Sequence, residues 1–168
     1  MDGNDDERPL AVVDIDGVVA DVRHRLHHIT NRPKDWDAFF AAAAADPPHP
    51  EGVNLVGRLA RDHEVVFLTG RPSRLRADTV AWLERNGLGG HRLVMRPEGD
   101  RRPAALVKLR QLREAAGRRS VGVVVDDDAV VVAAMKDAGY LTLHADWETR
   151  SDEADTTLIA AQEVEGET

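Results

Sequence analysis

The 168-residue chain contains no cysteine. Disulfides, a thiolate metal site and a thiol nucleophile are therefore all excluded. It also lacks an apolar stretch long enough to cross a bilayer, and Met1 to Pro9 is acidic and polar where a secretory leader would be basic and then apolar. A soluble, cytoplasmic protein with no membrane partner is expected. Positive charge is short overall, and a net charge of −8 argues against a protein that coats nucleic acid. No internal repeat is evident. What is present is a 42% apolar fraction, enough to supply the core of one ordinary domain.

The charge is unevenly spread. Residues 1–57 carry a balance of −6, residues 58–119 one of +8, and residues 120–168 one of −10. A basic middle between acidic ends is what a polyanionic substrate would call for, although arginines solvating outer helix faces would give the same pattern.

Short apolar runs alternate with helical patterns, which predicts an α/β fold with a parallel sheet covered by helices. The runs are Leu10–Ile15, Glu64–Leu68, Arg92–Met95, Val121–Val125 and Tyr140–His144. Helices are expected over Val53–Asp62, Ser73–Asn86, Pro103–Ala116 and Ala129–Ala138, with Gly87 and Gly139 at helix carboxyl ends. The long interval from Gly17 holds Asp35-Trp36-Asp37-Ala38-Phe39-Phe40 and five alanines, closed by Asp46-Pro47-Pro48-His49-Pro50, a proline cluster that stops a helix. It is too short for a second domain. The expected organisation is a flexible acidic stretch over 1–9, one domain over 10–145 with a small cap insertion at 17–50, and an acidic tail over 146–168. In that tail, Leu158 and Ile159 could dock a terminal helix.

Four motifs fall at the carboxyl ends of the strands or beside them, where open α/β sheets bind ligands. Asp14-Ile15-Asp16-Gly17 follows the first apolar run, and two carboxylates so close need a cation or a shared proton. Leu68-Thr69-Gly70-Arg71 follows the second, offering a hydroxyl and a glycine-freed backbone to a phosphate. Lys108 is the one lysine among the 14 arginines of the basic stretch. The fourth motif is Val123-Val124-Val125-Asp126-Asp127-Asp128, in which Asp128 also suits a helix N-cap and the register of the metal-facing pair stays open. His24 and His28 share a helical spacing without an evident third ligand. Trp36, Phe39 and Phe40 could stack a base or anchor a loop, and the plain account of Trp82 is core packing.

Taken together and in this order, the motifs resemble those of the haloacid dehalogenase superfamily of phosphohydrolases over roughly Leu10 to His144. The resemblance implies a three-layer, Rossmann-like fold with a five-stranded parallel sheet and a minimal cap. It also implies a catalytic set in which Asp14 is the nucleophile, Asp16 the general acid and base, Thr69 a phosphate ligand and Lys108 a charge clamp. Mg2+ would be held by Asp14, Asp126, Asp127 and the backbone carbonyl of Asp16; an oxygen-only ligand set suits that ion.

A finer likeness runs through Leu93-Val94-Met95-Arg96, Gly99-Asp100-Arg101-Arg102 and Asp126-Asp127, which are similar to the phosphatase half of bacteriophage polynucleotide kinase-phosphatase. Pro103-Ala104-Ala105 departs from it by lacking the acidic residues that precede the lysine there. This likeness implies removal of 3′-terminal phosphate from nucleic acid, with Arg25, Gly70 and Arg71 binding the phosphorylated end. A small-molecule phosphatase such as a nucleotidase, or a non-catalytic module that binds phosphorylated ends, are the alternatives.

Overall fold

A computed structural model describes residues 8–149. Its strands are β1 (Leu10–Val13), β2 (Glu64–Pro72), β3 (Arg92–Arg96), β4 (Val121–Asp126) and β5 (Thr142–His144). All pair in parallel, in the order β3-β2-β1-β4-β5. The helices are α1 (His27–Thr30), α2 (Trp36–Ala41), α3 (Pro50–Leu59), α4 (Arg76–Arg85), α5 (Ala104–Ala116) and α6 (Ala129–Asp137). The expected five-stranded, Rossmann-like α/β architecture is what forms.

The central strands read as continuous apolar runs because both faces of the sheet are covered. Alternate side chains divide between two cores. Ala11, Val13, Val65 and Phe67 pack with Val56 of α3 and Trp82 and Leu83 of α4. Leu10, Val12, Val66 and Leu68 pack on the opposite face with Leu112 of α5 and Val131 and Met135 of α6. Strand order reverses between β1 and β4, and their carboxyl ends are where such a sheet opens a crevice for a ligand.

Several boundaries differ from the sequence reading. The β1 ladder ends at Val13, so Asp14 begins the turn, although its N–H still donates to the Val125 carbonyl at 2.9 Å. Strand β2 runs on through Thr69-Gly70-Arg71 to Pro72 instead of stopping at Leu68, with an irregular register against β3 between Thr69 and Pro72. Helix α3 starts at Pro50 and not Val53: a proline with no amide to lose is well placed at a first helical position, so the last proline of the cluster opens a helix.

The cap comprises 3₁₀ turns at Arg23–Arg25 and Ala42–Ala45 with α1 and α2 between them. It has a small core of its own, Val22, Leu26, Ile29, Phe39 and Phe40, with Trp36 and Leu75 packed against it. Trp36, Phe39 and Phe40 are thus packing residues of the cap, and Trp82 is a core residue. Order continues past the expected boundary at 145, since Trp147 Nε1 donates to the Val18 carbonyl at 2.9 Å. Leu158 and Ile159, with most of the expected tail and residues 1–7, lie outside the described residues. No helix among the described residues is long and apolar enough to cross a membrane.

Candidate active site

After β1 the chain turns sharply around Ile15, whose carbonyl accepts the amides of Val18, Val19 and Ala20 at 2.9–3.1 Å. Gly17 makes the turn possible for two reasons. Its φ of +77° is costly for other residues, and a Cβ there would lie 2.1 Å from Asp127 Oδ2. The motif therefore presses its backbone against the β4 carboxylates.

Asp14, Asp126 and Asp127 are all buried and each brings a carboxylate oxygen within 4.8 Å of the others. Lys108 of α5 reaches them from below, with Nζ 2.9 Å from Asp14 Oδ2 and 2.7 Å from Asp126 Oδ2. Burial pushes the Asp14 carboxyl well above the ordinary range; Lys108 pulls it back, while Asp126 and Asp16 push it up again. Burial opposes the Lys108 charge, but Asp126 and Asp14 more than offset it, so its pKa is raised and it stays an ammonium. Within the cluster three carboxyl groups meet one ammonium. An all-oxygen set of this kind fits a hard divalent cation.

Asp128 stands apart from that cluster. Its carboxylate accepts from the amides of Val130 and Val131, so it is the N-cap of α6. The three-carboxylate cluster accordingly contains Asp126 and Asp127 and not Asp128.

Asp16, two residues from Asp14, has the opposite surroundings. Its Oδ1 accepts from Arg71 Nε at 2.9 Å and Nη2 at 2.7 Å, and from Arg25 Nη2 at 3.0 Å. Burial alone would raise its pKa, yet Arg71 and then Arg25 bring it below the ordinary value. Its Oδ2 is buried and accepts no hydrogen bond from the described residues. The side chain is not part of the three-carboxylate cluster, which leaves only its backbone carbonyl for the ligand role the resemblance implied.

Arg25 and Arg71 are not surface side chains. Both are buried, and both also bind Asp46: Arg25 through Nε and Nη2 at 2.8 Å each, Arg71 through Nη2 at 2.9 Å. The Arg25 guanidinium lies 4.2 Å from the centre of the Phe39 ring. Thr69 is fully buried, its Oγ1 accepting from the Arg71 amide at 3.2 Å across Gly70.

Asp46 is the residue that sequence reasoning passed over, treating it as part of a helix stop. Besides the two arginines it meets His24 Nε2 at 2.7 Å, and its carbonyl accepts from Trp82 Nε1 at 2.9 Å. Its partners are far apart in the sequence, and no local spacing announces it. His24 is thereby tied to Asp46. A second group, Asp21, His49 and Glu148, closes the base of the cap: His49 Nε2 lies 2.5 Å from Glu148 Oε1, and Asp21 is engaged by Arg23 at 2.6 Å.

Residues 9–147 match the family model described as the polynucleotide kinase PNKP phosphatase domain. Among solved structures, a chain of the Pnkp1/Rnl/Hen1 RNA repair complex superposes with a TM-score of 0.65 at 20% identity, covering 82% of this chain and 42% of that one. A haloacid dehalogenase-like family hydrolase from Streptococcus pneumoniae gives 0.57 at 10% identity, covering 82% and 84%. A magnesium-bound HAD hydrolase from Bacillus subtilis gives 0.57 at 9%, covering 80% and 87%. The chain thus spans less than half the length of the repair-complex chain and most of the length of the simpler hydrolases. Among curated proteins, no sequence matches. Coverage of nearly the whole described fold by one family model, with the acidic cluster at its strand-order switch, means that this chain belongs to the PNKP phosphatase-domain family of haloacid dehalogenase-type phosphohydrolases.

Proposed function

We propose that the chain is a Mg2+-dependent phosphomonoesterase that removes a terminal 3′-phosphate from nucleic acid, with Asp14 as the nucleophile. The observation that carries this reading is the opposed setting of two carboxylates two residues apart. Asp14 faces Lys108 and two further acids, whereas Asp16 is gripped by two arginines. Environments that push two acids apart divide the labour between them.

Asp14, Asp126, Asp127 and the Asp16 carbonyl would hold Mg2+, which when bound would offset the repulsion between carboxylate and phosphate and polarise the phosphoryl oxygens. Lys108 already supplies one positive charge beside Asp14 Oδ2. In the first half-reaction an Asp14 oxygen bonds to phosphorus as the ester P–O bond breaks, and Asp16 gives its proton to the departing oxygen. In the second, water attacks the aspartyl-phosphate and loses its proton to Asp16, which releases inorganic phosphate and restores both acids. Such proton transfer contributes about 10²–10⁴-fold. Because Arg71 and Arg25 favour the ionised form of Asp16, the proton it donates requires these arginines to shift part of their charge to the incoming phosphate. Thr69 and Gly70 would contribute the hydroxyl and backbone contacts to that phosphate.

The choice of a nucleic-acid end is supported by the family match and by the RNA repair complex among the structural neighbours. Asp14→Asn is the test of the mechanism. Mg2+-dependent phosphate release should disappear while circular dichroism and solubility stay as in the wild type, and acid-quenched wild-type enzyme should carry phosphate on Asp14. Wild-type turnover in Asp14→Asn would overturn the assignment.

A further inference from the structure

Between His144 and Glu148 the chain crosses from the acidic cluster to the base of the cap. At the near end the Ala145 amide donates to the Asp126 carbonyl at 2.9 Å, and His144 Nε2 lies 2.7 Å from the Asp127 carbonyl oxygen. At the far end Trp147 Nε1 donates to the Val18 carbonyl, and Glu148 reaches both sides of the cap's base. One short segment thus grips the backbone of two cluster acids and the insertion that carries Arg25 and Asp46.

The base of the cap is a two-stranded stem. The Asp21 amide donates to the Pro47 carbonyl and the His49 amide to the Val19 carbonyl, both at 2.8 Å, and Ala20 bridges Pro48 in antiparallel sense. Arg25 and Asp46 close this stem on the side of the site, through two contacts of 2.8 Å. Glu148 Oε1 closes it a second time: it accepts from the Val22 amide at 3.4 Å and lies 2.5 Å from His49 Nε2. Val22 stands three residues before Arg25, and its carbonyl accepts the Arg25 amide at 3.0 Å. His49 stands three residues after Asp46. Each member of the Arg25–Asp46 pair is therefore one turn of chain from a residue that Glu148 holds.

Glu148 is buried, and burial by itself would be served better by an apolar side chain, since a carboxylate must find partners to replace water. What the carboxylate adds is direction. It bonds only where donors stand, so it fixes the two sides of the stem against each other in a way that packing alone does not.

We propose that Glu148 is a positioning residue for phosphate binding: through Val22 and His49 it holds Arg25 and Asp46 in register with the acids that the same segment grips at its other end. This rests on the reading of Arg25 as a residue that receives the incoming phosphate. It adds a determinant of that binding from beyond the last strand, outside every catalytic motif.

The test measures kcat, KM and the inhibition constant of inorganic phosphate with an aryl phosphate and Mg2+. Wild type, Glu148→Ala, Glu148→Gln, Arg25→Gln and the double variant Glu148→Ala, Arg25→Gln are compared at a temperature where circular dichroism shows each to be folded. Glu148→Ala should raise KM and the phosphate constant together, by about tenfold, and Arg25→Gln should raise them at least as far. Glu148→Gln keeps an oxygen for the Val22 amide and should stay within about threefold of the wild type. The double variant should match Arg25→Gln within about twofold, because residues that act as one unit do not add.

A fall in kcat with KM and the phosphate constant unchanged is what a smaller folded fraction produces, and it would overturn the proposal. So would a double variant whose constants show the full product of the two single effects. If Glu148→Ala does not fold, His49→Ala, which leaves the Val22 contact in place, enters the same cycle with the same expected outcomes. A wild type that releases no phosphate, or an Arg25→Gln enzyme with wild-type constants, is a different failure: it removes the phosphate reading itself, and this inference with it.

Discussion

Asp46 joins the cap to the candidate active site through one carboxylate shared by His24, Arg25 and Arg71. Removing one partner from a buried ion network leaves the others uncompensated, at a cost of about 3–5 kcal/mol. Asp46→Ala should therefore destabilise the protein by that amount in urea unfolding, and it should also lower kcat because Arg25 and Arg71 lose the anchor that holds them in place for the incoming phosphate. Asp46→Asn keeps the acceptor and should recover part of the stability. A second prediction concerns Gly17. Alanine there combines a strained φ, worth about 1–3 kcal/mol, with a collision against Asp127. Gly17→Ala should raise the Mg2+ concentration needed for half-maximal activity, and an unchanged requirement would show that the turn and the cluster are uncoupled.

Among the elements, β1 and β4 were legible because burial on both faces forces an unbroken apolar run, and because the acids stand where those runs stop. Lys108 was legible as the odd residue in an arginine-rich helix. What escaped were facts made by distance. Asp46 lies 21 residues from Arg25 and 25 from Arg71, and its local setting looks like a plain helix end. The same prolines that stop the cap helix also start α3, since a proline at a first helical position and one after a last position look alike in sequence. That start is tightly constrained: a Cβ at Gly52 would lie 1.9 Å from the Val18 carbonyl oxygen. Gly52→Ala should consequently push α3 off the turn after β1, with a loss of stability greater than the ordinary helix preference for alanine would regain. The cap core makes a parallel prediction. Phe39→Ala removes a buried ring at a cost of about 3–5 kcal/mol and also the surface beneath the Arg25 guanidinium. It should depress activity more than its thermal shift explains at assay temperature.

At the scale of the molecule, a doubly covered sheet and a small cap enclose three buried carboxylates facing a single buried ammonium. A ligand that binds only the folded state stabilises it, by about 2.7 kcal/mol at a hundredfold excess over Kd. Mg2+ should therefore raise the thermal midpoint of the wild type, and the double variant Asp126→Asn, Asp127→Asn should lose that response. The central claim is tested most directly by the initial rate of Mg2+-dependent phosphate release from a single-stranded oligonucleotide phosphorylated at its 3′ end, set against the same strand phosphorylated at its 5′ end. Rapid release from the 3′ end, abolished by chelation and at least about a hundredfold slower from the 5′ end, is the predicted result. Equal rates at both ends, or release from free nucleotides alone, would contradict it.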